Sequence, residues 1–172
     1  MVEIIPLSQV APDAIEALLD AAFGSDRFGR TAYRLRAGVN WLAGFSVAAT
    51  EAGQLVGTLQ CWPVALTGAA DERIAPLMMV GPVAVDPEWQ GRGIGRQMMD
   101  HVIARADAAA PAALMMIGDP EYYGRFWGFS ADETGAWRLP GPVEARRLLA
   151  RAANGHAVPA AAGLIAPDHS PC

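Results

Sequence analysis

Residues 83–96 of the chain read Val83-Ala-Val-Asp-Pro-Glu-Trp-Gln90-Gly91-Arg92-Gly93-Ile94-Gly95-Arg96. An apolar strand pattern ends at Val85, three alternating glycines follow, and an amphipathic helix pattern begins after them. Glycines allow the backbone to turn tightly and to approach a ligand closely, and the N-terminus of the helix adds a positive dipole. The segment therefore predicts a binding site for an anion such as a phosphate.

The same segment does not fit a dinucleotide site. The G-x-G-x-x-G fingerprint, counted from Gly91 and Gly93, needs a third glycine where this chain has Arg96. The chain also contains no lysine, because all 13 of its basic residues are arginine. This composition excludes pyridoxal-phosphate Schiff bases, lysine-dependent aldolases and the P-loop nucleotide site.

Hydrophobic patterning on both sides of this segment predicts one α/β domain. The chain has 172 residues, of which 52% are hydrophobic, so a sizeable core is expected. We expect strands at 4–7, 45–50, 55–66, 77–85, 113–117 and 129–139. We expect a first helix that begins at Ser8 or at Pro12 and ends at Phe23, and further helices within 25–44, at 91–110 and at 120–127. Residues 144–153 fit a helix or a last strand, and we favour the strand. Residues 1–155 are expected to form the domain and residues 156–172 a Pro/Ala-rich tail at the surface.

The predicted fourth strand has a proline at its centre. Gly81-Pro82 interrupts the apolar run that ends at Val85. Proline cannot donate a hydrogen bond to a neighbouring strand, so we expect a bulge or a splaying of the strands at this point. A splayed strand would leave free N–H groups for a ligand.

Two motifs resemble those of one enzyme superfamily. The run Gln90-Gly91-Arg92-Gly93-Ile94-Gly95 resembles the Q/R-x-x-G-x-G/A motif of the GNAT superfamily of acyl-CoA N-acyltransferases. The run Tyr122-Tyr123-Gly124-Arg125-Phe126-Trp127-Gly128-Phe129 is similar to the Y-x-R-F-G-F element that follows the fifth strand there. The resemblance covers residues 2–139 and looks closest to the YhbS-like predicted N-acetyltransferases of bacteria.

This resemblance implies both a fold and a function. The fold is a central mixed, mostly antiparallel sheet flanked by helices, with parallel fourth and fifth strands that splay apart at the acetyl-CoA site. The function is direct transfer of an acetyl group from acetyl-CoA to a primary amine of a small molecule or peptide. The alternative is a non-catalytic acyl-CoA-binding or regulatory module of the same fold. The resemblance also assigns residues: the coenzyme A pyrophosphate falls to Gln90, Gly91, Arg92, Gly93, Ile94, Gly95 and Arg96, and the pantetheine arm to Val83, Ala84 and Val85.

For the chemical step we expect Tyr123 to return a proton to the departing thiolate. Trp127 is an extra residue relative to the superfamily pattern, so the choice between Tyr122 and Tyr123 stays open. The predicted fourth strand has no carboxylate or histidine to deprotonate the amine, and we expect a water chain to do so. Asp119, at the end of the predicted fifth strand, is the one acid that is well placed for catalysis, but its position before Pro120 is more typical of a helix cap.

Charge gives two opposed indications about the acceptor. The net charge of −5 would attract cationic amines and argues against a nucleic-acid partner. Four arginines, however, lie in the segment that helps to form the acceptor side in this superfamily, and they favour a carboxylate or phosphate on the substrate. We give slightly more weight to this local cluster, which consists of Arg27, Arg30, Arg34 and Arg36.

The cysteines and the apolar runs bear on location and assembly. Cys61 and Cys172 form neither a disulfide framework nor a paired metal-binding spacing, which favours the cytoplasm and predicts no metal site. The longest apolar run, residues 74–85, is too short to span a bilayer, so we expect no membrane association. An apolar last strand and tail would permit a homodimer.

Overall fold

The apolar strand patterns assemble into one mixed sheet in the computed structural model of this protein, which describes residues 1–170. Its strands are β1 Val2–Pro6, β2 Val47–Glu51, β3 Gln54–Thr67, β4 Arg73–Val85, β5 Ala113–Ile117, β6 Trp137–Arg138, β7 Leu148–Arg151 and β8 Gly163–Pro167. They run in the order β1-β2-β3-β4-β5-β7, and β8 pairs with both β3 and β6. The β4–β5 and β6–β8 pairs are parallel and the others antiparallel, which confirms the mixed, mostly antiparallel sheet.

Helices cover both faces of this sheet. They are α1 Pro12–Phe23, α2 Thr31–Arg34, α3 Ile94–Ala109 and α4 Pro120–Trp127. Helix α3 buries Met98, Val102 and Ala106 against one face, where Ala49 of β2 joins the same core. Helix α1 packs with Ala48 on the opposite face, because successive residues of a strand point to opposite sides. No helix within residues 1–170 is long and apolar enough to cross a membrane.

The predicted splay between the fourth and fifth strands is confirmed. β4 pairs with β5 only over residues 77–79, opposite residues 113–115. Beyond that point β5 continues against β7, whereas β4 continues against β3 as far as Val85. The β3–β4 register shifts where Gln60 alone lies opposite Gly81 and Pro82, so the predicted bulge is present as well. β4 and β5 therefore separate beyond Met79 and Met115, and a cleft opens between them.

The predicted strand at 129–139 is wrong over most of its length. Only Trp137–Arg138 forms a strand, β6. A turn precedes it, in which the Thr134 hydroxyl donates to the Leu148 carbonyl at 2.7 Å and the Thr134 N–H reaches the Ala131 carbonyl. Thr134 thus meets the Leu148 carbonyl of β7 with its side chain, while its own backbone forms a turn and pairs with no strand within residues 1–170. The strand that we favoured within 144–153 is confirmed as β7, after a 3-10 turn at Ala145–Arg147.

Residues 163–167, which we expected to belong to a surface tail, form β8 instead. Ile165 is fully buried, and the Asp168 carboxylate accepts a hydrogen bond from Arg73 at 2.9 Å. Burial of an apolar side chain against β3 and an ion pair whose carboxylate is buried outweigh the flanking prolines that suggested a loose tail. The apolar residues of β7 and β8 are thus buried in the chain's own sheet, which removes the reason for which the sequence suggested a dimer.

Shortening the Ile165 side chain measures how much β8 contributes to the free energy of unfolding. We expect Ile165→Ala to lower the free energy of unfolding by about 2–4 kcal/mol, because it leaves a cavity at a fully buried position. Urea denaturation followed by circular dichroism gives this value. The matched variant Leu164→Ala alters the neighbouring, partly exposed side chain and should cost less. A change of under about 0.5 kcal/mol for Ile165→Ala would show that residues 163–167 are not part of the core.

Candidate functional site

The glycine-rich loop connects a 3-10 turn at Pro87–Trp89 to helix α3. The Asp86 carboxylate fixes this turn by accepting the Glu88 N–H at 2.9 Å. Gly91 and Gly93 adopt φ values of +79° and +78°, a backbone region that favours glycine. Gly93 is the N-cap of α3, and no side chain caps the helix there. The first amides of α3 have no partner within the helix and remain available to an anion.

A cavity of about 370 Å³ lies over this loop. Seven of the predicted coenzyme A residues line it, and they are Val85, Gln90, Gly91, Gly93, Ile94, Gly95 and Arg96. Three aromatic residues complete the lining: Trp89, Tyr122 and Phe126. The first motif and the tyrosine motif, 27 residues apart in the chain, thus form one cavity wall.

The two arginines of the loop have different environments. The Arg96 guanidinium lies 4.2 Å from the centre of the Phe126 ring and at the cavity wall. Arg92 instead stacks on Trp89, at 4.4 Å, and donates to the Glu88 carbonyl at 3.3 Å. Arg96 is therefore the arginine of this pair that is placed to meet a phosphate.

A larger cleft of about 1010 Å³ follows the gap between β4 and β5. Residues 79–83 of β4 form one wall and residues 116–119 the other. Val83 is among the lining residues, whereas Ala84 is buried and packs with α1 on the other face of the sheet. The exposed edge of β4 thus runs along the cleft toward the glycine loop, as the resemblance predicts for a pantetheine site.

Tyr122 and Tyr123 both reach this cleft, with their rings 5.0 Å apart in an edge-to-face arrangement. Tyr122 also lines the smaller cavity, so the two cavities meet at its ring. Tyr123 packs on Gly118, where a Cβ atom would come within 2.7 Å of the ring. Glycine at the end of β5 therefore lets Tyr123 take this position, a requirement that sequence analysis missed although the glycine directly follows the strand pattern.

The pKa of Tyr123 is raised from its ordinary value of about 10. Burial is the main cause, and the nearby Tyr122 and Asp119 add to it. The positive charge of Arg147 acts in the opposite direction. The phenol consequently stays protonated into the alkaline range, as a proton donor must.

Trp127, the extra residue of the second motif, is the last residue of α4. Its indole N–H donates to the Asp100 carboxylate of α3 at 2.8 Å. Its buried ring contacts Tyr122, Tyr123 and Phe126, with ring centres 5.4–5.7 Å away. The insertion is thus absorbed as a packing anchor, and the helix still presents both tyrosines to the cleft.

Asp119 does not act as the predicted helix cap. It occupies the N-cap position of α4, yet its side chain makes no capping hydrogen bond. The carboxylate lies at the cleft wall and is close enough to Tyr123 to raise the tyrosine's pKa. The structure therefore leaves this acid free for a ligand.

The predicted arginine cluster is mostly structural. Arg27 is buried, pairs with Glu16 and Asp20 and donates to the Tyr33 hydroxyl at 2.8 Å. Arg34 donates to the Pro140 carbonyl, and Arg36 lies 4.1 Å from the Tyr33 ring and 4.2 Å from the Trp62 ring. Of the four arginines, the cleft lining includes Arg30 alone.

Two further charged residues line the cleft and were missed from sequence. Glu144 and Arg147 come from the segment before β7, whose patterning gave no sign of a site. The Gly118 N–H donates to the Arg147 carbonyl at 3.0 Å, which holds this segment beside the end of β5. The pairing of β5 with β7 thus brings both residues to the tyrosines.

Cysteine and metal chemistry have little basis in this site. Cys61 is fully buried, and burial raises the pKa of its thiol. Such a thiol is not a nucleophile at neutral pH. Within residues 1–170 no group of three or more His, Cys, Asp or Glu side chains is placed to hold a metal ion.

Comparison with known proteins agrees with this architecture. A family model described as an acetyltransferase (GNAT) domain matches residues 3–130. A protein of Escherichia coli K12, described as the uncharacterized N-acetyltransferase YhbS, is 33% identical over 148 residues, which cover 82% of this chain and 84% of the relative.

Solved structures give the same result. A GNAT-family N-acetyltransferase (YhbS) from Escherichia coli in complex with CoA superposes with a TM-score of 0.68 at 24% identity, over 98% of this chain and 89% of that one. A GNAT-family acetyltransferase from Brucella melitensis in complex with acetyl-CoA gives a TM-score of 0.64 at 26% identity, over 98% and 97%. On the family match, the YhbS relative and the splayed sheet, this chain belongs to the GNAT family of acetyltransferases.

Proposed function

We propose that this protein transfers an acetyl group from acetyl-CoA directly to a primary amine of a small molecule or peptide. The observation that carries the proposal is the alignment of three features along two adjoining cavities. These are the glycine loop at the start of α3, the free edge of β4, and the tyrosines of α4. The relatives solved with CoA and with acetyl-CoA support this donor.

The residues along these cavities fit acetyl-CoA. Amides of the 90–96 loop and the Arg96 guanidinium suit the pyrophosphate, which is anionic. The edge of β4 at Val83 and Val85 suits the amide groups of the pantetheine arm, because β5 does not pair with it there. Acetyl-CoA supplies an electrophilic acetyl carbon in a thioester, with a thiol as leaving group.

The proposed transfer removes one proton from the amine and delivers one to the departing sulfur. The amine nitrogen gains the acetyl group and loses one proton to a water chain that begins at the cleft. Backbone N–H groups near Val83–Val85 stabilise the negative charge that develops on the carbonyl oxygen. Tyr123 gives its hydroxyl proton to the departing sulfur and regains one from the water chain, so that protons and charge balance over the cycle.

Other readings of the sequence have less support. The match to proteins described as N-acetyltransferases favours catalysis over the non-catalytic acyl-CoA-binding module. A covalent route through Cys61 is disfavoured, because its buried thiol lies away from both cavities and has a raised pKa. A cytoplasmic location remains a prediction from sequence, whereas the homodimer has lost the apolar strand and tail that suggested it.

The proposal is tested by two measurements on the wild-type protein. Calorimetric titration of acetyl-CoA should give micromolar affinity, in line with a pocket-sized anion and pantetheine site. A panel of primary amines is then screened with acetyl-CoA while the released thiol is followed, and acetylated products are identified by mass spectrometry. Donor binding with acetyl transfer supports the enzyme, donor binding without transfer to any amine supports the binding module, and no donor binding contradicts the proposal.

A further inference from the structure

The part of the large cleft remote from the glycine loop carries charges of both signs. The charged residues of its lining are Arg30, Asp119, Glu144 and Arg147. They belong to separate segments, which the fold gathers around the tyrosines. A site for a simple amine would need only the negative groups, so the two arginines call for an explanation.

Arg147 is the more informative of the two arginines. Its guanidinium makes no ion pair and no side-chain hydrogen bond with any of residues 1–170. The residue is half-buried and lines the cleft beside Tyr123, close enough for its charge to lower that tyrosine's pKa. Arg30, in contrast, already donates to the Phe23 carbonyl at 3.0 Å and stacks on the Phe23 ring. Arg147 therefore offers a planar guanidinium, whose N–H groups are free to donate hydrogen bonds, beside the tyrosine.

Asp119 supplies the opposite charge at the same place. Its carboxylate has no hydrogen-bond or ion-pair partner among the described residues, and its charge raises the pKa of Tyr123. Glu144, also without a side-chain partner among residues 1–170, adds a second negative group at the cleft wall. Both signs of charge thus act on one hydroxyl, within the short range over which such charges remain effective.

On the function proposed above, we propose that the acceptor is a free α-amino acid, with its carboxylate bound by Arg147 and its amine directed toward Asp119. In such a molecule the ammonium and carboxylate groups are separated by a single carbon, so a site for it needs both signs of charge within one cleft, as Arg147 and Asp119 provide here. Arg147 would repel a lone ammonium group, whereas a carboxylate beside the amine turns that repulsion into a charged, bidentate hydrogen bond. A peptide N-terminus lacks this carboxylate and fits the cleft less well.

The inference is tested with three forms of each acceptor. The twenty common α-amino acids, their α-amides and the corresponding decarboxylated amines are supplied with acetyl-CoA, and kcat/KM is measured from thiol release. For the preferred side chain we expect the free acid to exceed its amide and its decarboxylated amine by about 10- to 100-fold, the range for a hydrogen-bonded charge. Saturation-transfer NMR of the same acids with the CoA-bound protein gives a readout that does not require turnover.

Two neighbouring arginines provide a matched pair of variants. Arg147→Gln should reduce the ratio of kcat/KM for acid over amide to near one, and Arg147→Lys should restore it in part. Arg146→Gln is the control, because Arg146 pairs with Glu121 at the surface and does not line the cleft. We expect that control to keep the wild-type ratio, and the acetyl-CoA affinity of all three variants to stay unchanged.

Several results would overturn the inference while leaving the proposed function intact. Transfer to decarboxylated amines or amides in preference to acids is one, and an unchanged acid-to-amide ratio in Arg147→Gln is another. Neither binding nor acetylation of any amino acid by a protein that binds CoA is a third. A wild-type protein that does not bind acetyl-CoA would instead contradict the proposed function.

Discussion

Tyr123→Phe should lower kcat about 100-fold while leaving the dissociation constant of acetyl-CoA unchanged within about twofold, since general acid catalysis typically contributes 10²–10⁴. The substitution removes only the hydroxyl and keeps the ring against Gly118, so the cleft retains its shape. Steady-state rates with a saturating acceptor give kcat, and calorimetry gives the donor affinity.

Tyr122→Phe is the matched control for this change. Tyr122 is adjacent, shares the cleft and is 40% exposed, so its hydroxyl has water as an alternative partner. We expect its kcat to fall by less than about threefold, the scale of one weak hydrogen bond. A large loss in Tyr122→Phe with none in Tyr123→Phe would transfer the role to Tyr122, and no loss in either would exclude both.

The pH profile provides a second readout of Tyr123. Its raised pKa means that the folded protein holds the proton to higher pH than a free tyrosine does. A proton donor is active at low pH, where it holds its proton, and inactive at high pH, where it has lost it. The rate therefore falls on the alkaline side of the pH profile, which gives a descending limb. We expect that limb to lie above about pH 10, the ordinary pKa of tyrosine, and to be absent in Tyr123→Phe. A wild-type limb well below that pH would contradict the assignment.

Gly93→Val should weaken acetyl-CoA binding about tenfold or more. Valine is strained at a φ of +78°, so the loop must change shape and its amides should turn away from the position proposed for the pyrophosphate. Calorimetric titration measures the dissociation constant. The kcat at saturating donor should change little, because Gly93 is not among the lining residues of the cleft that contains Tyr123.

Gly53→Val controls for the strain itself. Gly53 has a φ of +79° in the β2–β3 turn, open space around its Cβ position, and no place in either cavity. Both variants should therefore lose similar stability in urea denaturation, while only Gly93→Val loses donor affinity. Equal affinity of both variants and the wild type would contradict the role of the loop in binding the donor.

The sequence predicted those structural features whose cause lies within a few residues of the chain. Pro82 lacks an N–H group wherever it lies, so the bulge and splay of β4 followed from one residue and were confirmed. The positive φ values of Gly91 and Gly93 likewise arise within a few residues of chain.

Features that depend on distant partners escaped the sequence analysis. β8 exists because residues 164–167 pair with β3, almost 100 residues earlier, and flanking prolines concealed it. Arg147 and Glu144 reach the cleft only through the pairing of β7 with β5. Arg36 looked like a substrate ligand because its aromatic partner Trp62, on β3, becomes a neighbour only after folding. The carboxylate partners of Arg27 lie in α1, just before it in the chain, and were overlooked although they are local.

The bond between Trp127 and Asp100 also bears on the donor itself. It fastens α4, which carries the tyrosines, to α3, which begins at the glycine loop. A side-chain bond between two helices thus links the two ends of the proposed donor site. In the proposed binding mode this bond sets the distance that the pantetheine arm has to span, so an acetyl-CoA analogue with an arm one methylene longer or shorter should place its carbonyl out of register with Tyr123.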